Sequence, residues 1–138
     1  MNRIVLDVSA AVGLVTDRED CRWMLPFVEQ SQQIISPDLF ISEITNTVWK
    51  FFHIGNASLP EIHLIAETGI GLVDEFTDSQ LLWPQALVLA YEMDHSAYDC
   101  FYLALCQQAH ASLLTLDQRL IRLSEKWKIS VLQPTFPL

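Results

Sequence analysis

Ile4-Val5-Leu6-Asp7-Val8-Ser9 near the start of the chain and Leu113-Leu114-Thr115-Leu116-Asp117 near its end share one pattern, a short apolar run closed by a carboxylate. Such runs, too short for a buried helix and bounded by polar residues, suit strands covered on both faces in a parallel sheet. In that arrangement ligands gather at the carboxyl ends of the strands, where Asp7 and Asp117 stand. Two further acids fall where helices would turn them toward the same end. Asp99 opens the helical stretch Tyr98 to Ala109, and Glu43 lies on the helix that follows Ser36-Pro37.

Outward from these runs, apolar segments alternate with helical periodicity in the order β-α-α-β-α-α-β-α-α-β-α-β. This predicts an α/β fold with a parallel five-stranded sheet flanked by helices on both faces. Strands are expected at residues 3–7, 33–36, 71–75, 112–116 and 129–132. On the helix from Asp38 to about His53, Phe40, Ile44, Val48 and Phe51 or Phe52 recur at three- or four-residue spacing and are expected to face the sheet, while Glu43, Asn46, Thr47 and Lys50 form a separate polar stripe. Gly55 suits the end of that helix and Leu59-Pro60 the start of the next. Pro84 either kinks a helix running from Ser79 to Met93 or marks its first turn, and the sequence leaves both open.

At 138 residues, 51% of them hydrophobic, residues 1–138 read as one domain with one core. The apolar run before Asp7 is too short for a signal peptide, and Leu81 to Met93 is broken by Pro84, Gln85 and Glu92, so the expectation is a cytoplasmic protein with no membrane segment. Cys21, Cys100 and Cys106 are odd in number and lack C-x-x-C spacing, which argues against a disulfide framework or zinc ribbon and for buried thiols. The net charge of −9 counts against a free-standing nucleic-acid binder. However, Arg119, Arg122, Lys126 and Lys128 are clustered just after Asp117 and supply a local basic strip.

Four clustered carboxylates repel one another, each close pair by about 1 kcal/mol in water to about 4 near a protein surface. A hard divalent cation removes that cost, and a set of oxygen ligands with no convergent His or Cys suits Mg²⁺ or Mn²⁺ better than Zn²⁺. The chemistry implied is phosphodiester cleavage by metal-activated water.

The blocks Ile4-Val5-Leu6-Asp7-Val8-Ser9, Ile41-Ser42-Glu43-Ile44-Thr45-Asn46, Tyr98-Asp99-Cys100-Phe101-Tyr102-Leu103-Ala104-Leu105 and Leu113 to Leu120, in this order, carry a resemblance over nearly the full length. The chain resembles the PIN-domain ribonucleases, in particular the VapC-like toxins of bacterial toxin-antitoxin pairs. The resemblance implies a metal-dependent endoribonuclease of PIN-like fold in which Asp7, Glu43, Asp99 and Asp117 match the acidic quartet that holds one or two Mg²⁺ or Mn²⁺ ions. Ser9 and Thr115 match the small hydroxyl positions that orient those carboxylates. It further implies an RNA substrate, products with 5′-phosphate and 3′-hydroxyl ends, a homodimer, and an antitoxin protein that inhibits the toxin with a basic tail. Arg119 is the expected RNA phosphate contact. The chain departs from the family pattern at Cys100, where alanine is usual, and at Asp94-His95-Ser96, where the approach to the helix is usually more apolar or contains glycine.

Each acid also has a plainer reading. Ser96-Ala97-Tyr98-Asp99 has the form of a capping box, Asp117 suits the N-cap of the helix carrying Arg119, Glu43 a solvated helix face, and Asp7 a polar strand end. His53, His63, His95 and His110 have no partner at ligand spacing and read as surface or core-edge residues. Trp49 lies off its helix's apolar stripe, in line with Ser42, Thr45 and His53, and Trp23, Met24 and Phe27 form an early aromatic cluster. Core packing accounts for most of these, yet an off-stripe Trp can mark a partner groove. Among rival functions, a haloacid-dehalogenase-type phosphatase needs a second Asp two residues after Asp7, where this chain has Ser9. A response-regulator receiver needs an acidic pair and a late Lys that do not appear. A catalytically silent PIN module would lack one of the four acids.

Overall fold

The computed structural model describes residues 2–134. Strands β1 (Arg3–Leu6), β2 (Gln33–Pro37), β3 (Glu75–Thr77) and β4 (Ser112–Leu114) pair in parallel in the order β3-β2-β1-β4. Among the described residues the helices are α1 (Val8–Val15), α2 (Leu25–Gln30), α3 (Leu39–Gly55), α4 (Leu59–Gly71), α5 (Ser79–Met93), α6 (Ala97–Ala109) and α7 (Gln118–Lys126), with a 3-10 turn at Glu19–Met24 before α2.

Alternation along β1 divides the core. Ile4 and Leu6 join Ile34 and Leu114 under α1, α3 and α4, while Val5 joins Ile35 and Leu113 under α5, α6 and α7. Helices therefore cover both faces of the sheet, which is why its central strands read as unbroken apolar runs. The strand order reverses at β1, whose neighbours are β2 on one side and β4 on the other. That switch point opens a crevice beyond the carboxyl ends of β1 and β4.

The sheet has four strands, not the five expected. Residues 129–132 contribute only a single parallel bridge, Val131 to Leu113, framed by Leu113 N donating to Ser130 O and Leu132 N donating to Leu113 O. The left-handed Lys128 (φ 56°) turns the chain just before this bridge, and Pro134 just after it has no amide hydrogen to extend the ladder. The third strand lies at Glu75–Thr77 rather than 71–75. Leu72 and Val73, the apolar signal for the earlier position, follow the last turn of α4 and pack into the core from there. Asp74 then docks the chain on β2 through reciprocal hydrogen bonds with Ile34.

Along α3, Phe40, Ile44 and Val48 are buried as expected, but Phe51 and Phe52 are both exposed. The helix ends through the left-handed Asn56, one residue after Gly55. Ser58 and Glu61 form the capping box that starts α4, with Pro60 in its first turn. Pro84 lies inside α5. It and Gln80, whose carbonyl loses its partner, are both exposed, so water can satisfy the freed group. The three cysteines are buried free thiols. No helix among the described residues is long and apolar enough to cross a membrane.

Candidate active site

Asp7 leaves β1 and becomes the N-cap of α1, its Oδ1 accepting from Ala10 N at 3.0 Å. The same oxygen accepts from the Ser9 hydroxyl at 2.8 Å, and Oδ2 accepts from the Thr115 hydroxyl. These two hydroxyls also join the strand ends. Leu116 N donates to Ser9 Oγ and Asp117 N donates to Thr115 Oγ1, both at 3.0 Å. A single hydrogen-bonded knot thus fixes the ends of β1 and β4 against each other at the switch point.

Asp117 is the N-cap of α7, its Oδ1 accepting from Arg119 N at 2.9 Å and Leu120 N at 3.4 Å. Glu43 projects from α3, and its Oε1 accepts from the Tyr102 hydroxyl at 2.6 Å. Asp99 lies in the first turn of α6, where the helix dipole favours a carboxylate. Its Oδ2 is 2.7 Å from His95 Nε2. Ser96 makes no side-chain cap bond, so the expected capping box does not form and His95 holds Asp99 instead.

All four acids line one cleft of about 320 Å³, together with Ser9, Asn46, Thr47, Lys50 and Tyr102. Thr115 reaches the same cluster through Asp7. Arg119 is exposed on α7 and is not part of that lining, whereas Lys50 from the polar stripe of α3 is. Burial pushes the Asp7 carboxyl up from 3.8 to about 6 against the hydrogen bonds from Thr115, Ala10 and Ser9, with the Asp117 charge adding to the rise. Glu43 is likewise raised, first by burial and then by the charges of Asp7 and Asp99, while the Tyr102 hydrogen bond opposes. The carboxylates therefore feel one another across the cleft.

The cleft fits a hydrated hard cation. Asp99 Oδ1, Glu43 Oε2 and Asp117 Oδ2 accept no hydrogen bond from the described residues, while the companion oxygen of each is tied down. Among the described residues no three His, Cys, Asp or Glu side chains converge tightly enough to grip one ion directly. A cation there would keep part of its water shell, as Mg²⁺ does. His95 and Tyr102 had no role in the sequence reading. Their signal was helical spacing, since His95, Asp99 and Tyr102 stand at i, i+4 and i+7 on one face.

Comparison with known proteins gives three findings. A family model described as PIN domain matches residues 4–126. Ribonuclease VapC3 of Pyrobaculum aerophilum is 28% identical over 123 residues, which cover 86% of this chain and 92% of that protein. The crystal structure of PAE2754 from Pyrobaculum aerophilum aligns with a TM-score of 0.71 at 17% identity, over 88% of this chain and 84% of that one. At that identity the last is a likeness of fold.

Proposed function

The chain belongs to the PIN-domain family, and from that premise we propose that it is an endoribonuclease dependent on Mg²⁺ or Mn²⁺, acting as the toxin of a toxin-antitoxin pair. The observation that carries this reading is the meeting of Asp7, Glu43, Asp99 and Asp117, from four separate elements, in one cleft at the sheet's switch point. The likeness to a protein named as a ribonuclease supports it.

In this reading the four carboxylates hold one or two ions. Bound there, Mg²⁺ or Mn²⁺ would supply polarisation of the scissile phosphate and a lowered pKa of the attacking water. Ser9 and Thr115 fix the Asp7 carboxylate through the hydrogen bonds described above. Lys50, in the cleft wall, and Arg119, on the exposed face of α7, contact phosphates of the RNA. Incubating the protein with RNA plus Mn²⁺ or excess EDTA tests the assignment. Cleavage with Mn²⁺ alone, leaving 5′-phosphate and 3′-hydroxyl ends, is expected, and cleavage that survives EDTA would refute metal dependence.

The partner assignments rest on two apolar faces. Thr45, Val48, Trp49, Leu59, Ile62 and Ile70 line a groove of about 560 Å³ between α3 and α4, with Trp49 stacked on His53 at 5.0 Å. An amphipathic antitoxin segment would lie there, with a basic tail reaching the acidic cleft. Leu81, Trp83, Leu87, Val88 and Tyr91 are exposed along α5 and would be covered by a second copy of the chain. Sedimentation of the free protein checks the pairing, and a monomer at micromolar concentration would exclude it. Both roles place the protein in the cytoplasm with its RNA.

A further inference from the structure

We propose that His95 and Tyr102 are positioning residues of the carboxylate site, His95 aiming Asp99 and Tyr102 aiming Glu43. The proposal rests on the metal-dependent reading above and adds two residues that neither the family match nor the acidic quartet designates.

The two helix-borne acids have a problem that Asp7 and Asp117 lack. Asp7 and Asp117 cap helices, so backbone amides fix their carboxylates. Glu43 and Asp99 receive no such amide bond, and a carboxylate on a helix surface is free to rotate unless something holds it. In each case one side chain of the α6 segment does so. His95 Nε2 lies 2.7 Å from Asp99 Oδ2, and the Tyr102 hydroxyl lies 2.6 Å from Glu43 Oε1.

The chemistry of the donors favours orientation. An ionised carboxylate only accepts hydrogen bonds, so His95 must carry its proton on Nε2 and donate it. Tyr102 is 2% exposed, and a buried hydroxyl that gave up this bond would bear the cost of an unsatisfied donor. Its bond to Glu43 is therefore held by its surroundings. Each bond uses one oxygen and leaves the other, Asp99 Oδ1 or Glu43 Oε2, free of protein partners among the described residues. Partners that fix ligand orientation in this way contribute about 10- to 100-fold to metal affinity or activity. His95, Asp99 and Tyr102 share one face of α6, so a single helical segment would set the direction of two of the four carboxylates.

The test measures Mn²⁺ binding to the whole chain by the electron paramagnetic resonance signal of free Mn²⁺, alongside metal-free thermal melts and steady-state RNA cleavage. His95→Ala and Tyr102→Phe should each weaken Mn²⁺ binding about tenfold. His95→Gln should restore near-wild-type binding, because its amide can donate to the same oxygen. The two losses should multiply in the double variant, since they act on different carboxylates. At saturating Mn²⁺, KM for RNA should stay unchanged while kcat falls. Unchanged or tighter Mn²⁺ binding in the single variants, or His95→Gln no better than His95→Ala, would overturn the proposal while leaving the nuclease reading intact. Should Tyr102→Phe fail to fold, the two His95 variants decide. A wild-type protein that neither binds Mn²⁺ nor cleaves RNA would instead remove the reading on which the proposal rests.

Discussion

Replacing Asp7 by Asn tests whether a buried carboxylate is kept in this fold at a cost to stability. Burial raises its pKa from 3.8 to about 6, so the folded state favours the neutral acid more than the unfolded state does. The stabilisation from that preference is complete below about pH 3.8 and is lost as pH rises through about 6. At about 1.4 kcal/mol per pKa unit, the full effect is about 3 kcal/mol. Between pH 5 and pH 8 it amounts to about 1.4 kcal/mol. Other titrations largely cancel when wild type is compared with Asp7→Asn. The metal-free wild type should therefore lose about 5 °C of Tm relative to the variant over this interval. Working at pH 5 and above keeps the protein clear of its pI of about 4.6, where solubility is lowest. Melts in EDTA supply this comparison. A second series at pH 8 with Mn²⁺ at a hundred times its Kd should stabilise wild type by about 2.7 kcal/mol and Asp7→Asn by far less. Parallel Tm curves for the two proteins across pH would refute the buried-acid reasoning. Equal stabilisation of both by Mn²⁺ would show that Asp7 does not belong to a shared metal site.

The remaining predictions concern charge and contact. Asp99→Asn should abolish cleavage while the protein melts within a few degrees of wild type, since Asp99 is half-exposed and caps nothing; cleavage retained by the folded variant would remove Asp99 from the catalytic group. Lys50→Ala and Arg119→Ala should each weaken RNA binding and reduce the slope of log Kd against log salt by about 0.7, the share of one single-strand phosphate contact. An unchanged slope would exclude the residue concerned. Trp49→Asp should reduce co-purification with the product of an adjacent antitoxin reading frame much more than it reduces cleavage by the free protein, and equal recovery of the two complexes would take Trp49 out of that interface.

Much of the fold was legible because burial on both faces leaves a plain mark. Ile4-Val5-Leu6 and Ser112-Leu113-Leu114 are strands, and the alternation of helices and strands holds from β1 to α7. Legibility failed where apolar residues serve another element. Leu72 and Val73 follow the end of α4, and apolar runs this short do not distinguish a strand from the end of a buried helix. The expected fifth strand failed through backbone conformation, because nothing in the residue type of Lys128 announces its left-handed turn. Phe51 and Phe52 keep the helical period of their stripe, yet α3 carries them out of the core. Phe51 lines a shallow apolar hollow with Ile54 and Ile65 instead.

The site shows a different relation between sequence and structure. The plain and the functional readings of the acids were set out as rivals, and for two of them the structure makes the plain one true. Asp7 caps α1 and Asp117 caps α7. Capping does not exclude ligation, because a cap bond can use one carboxylate oxygen and fix the direction of the other. Asp117 illustrates this, with Oδ1 on two backbone amides and Oδ2 free of protein donors among the described residues. Glu43 and Asp99 reach the same condition through Tyr102 and His95 rather than through the backbone. What distinguishes a catalytic acid from a structural one in this cleft is therefore the convergence of the free oxygens. No single position in the sequence could reveal that, because it depends on the pairing of β1 with β4 and on the packing of α3 and α6 against them.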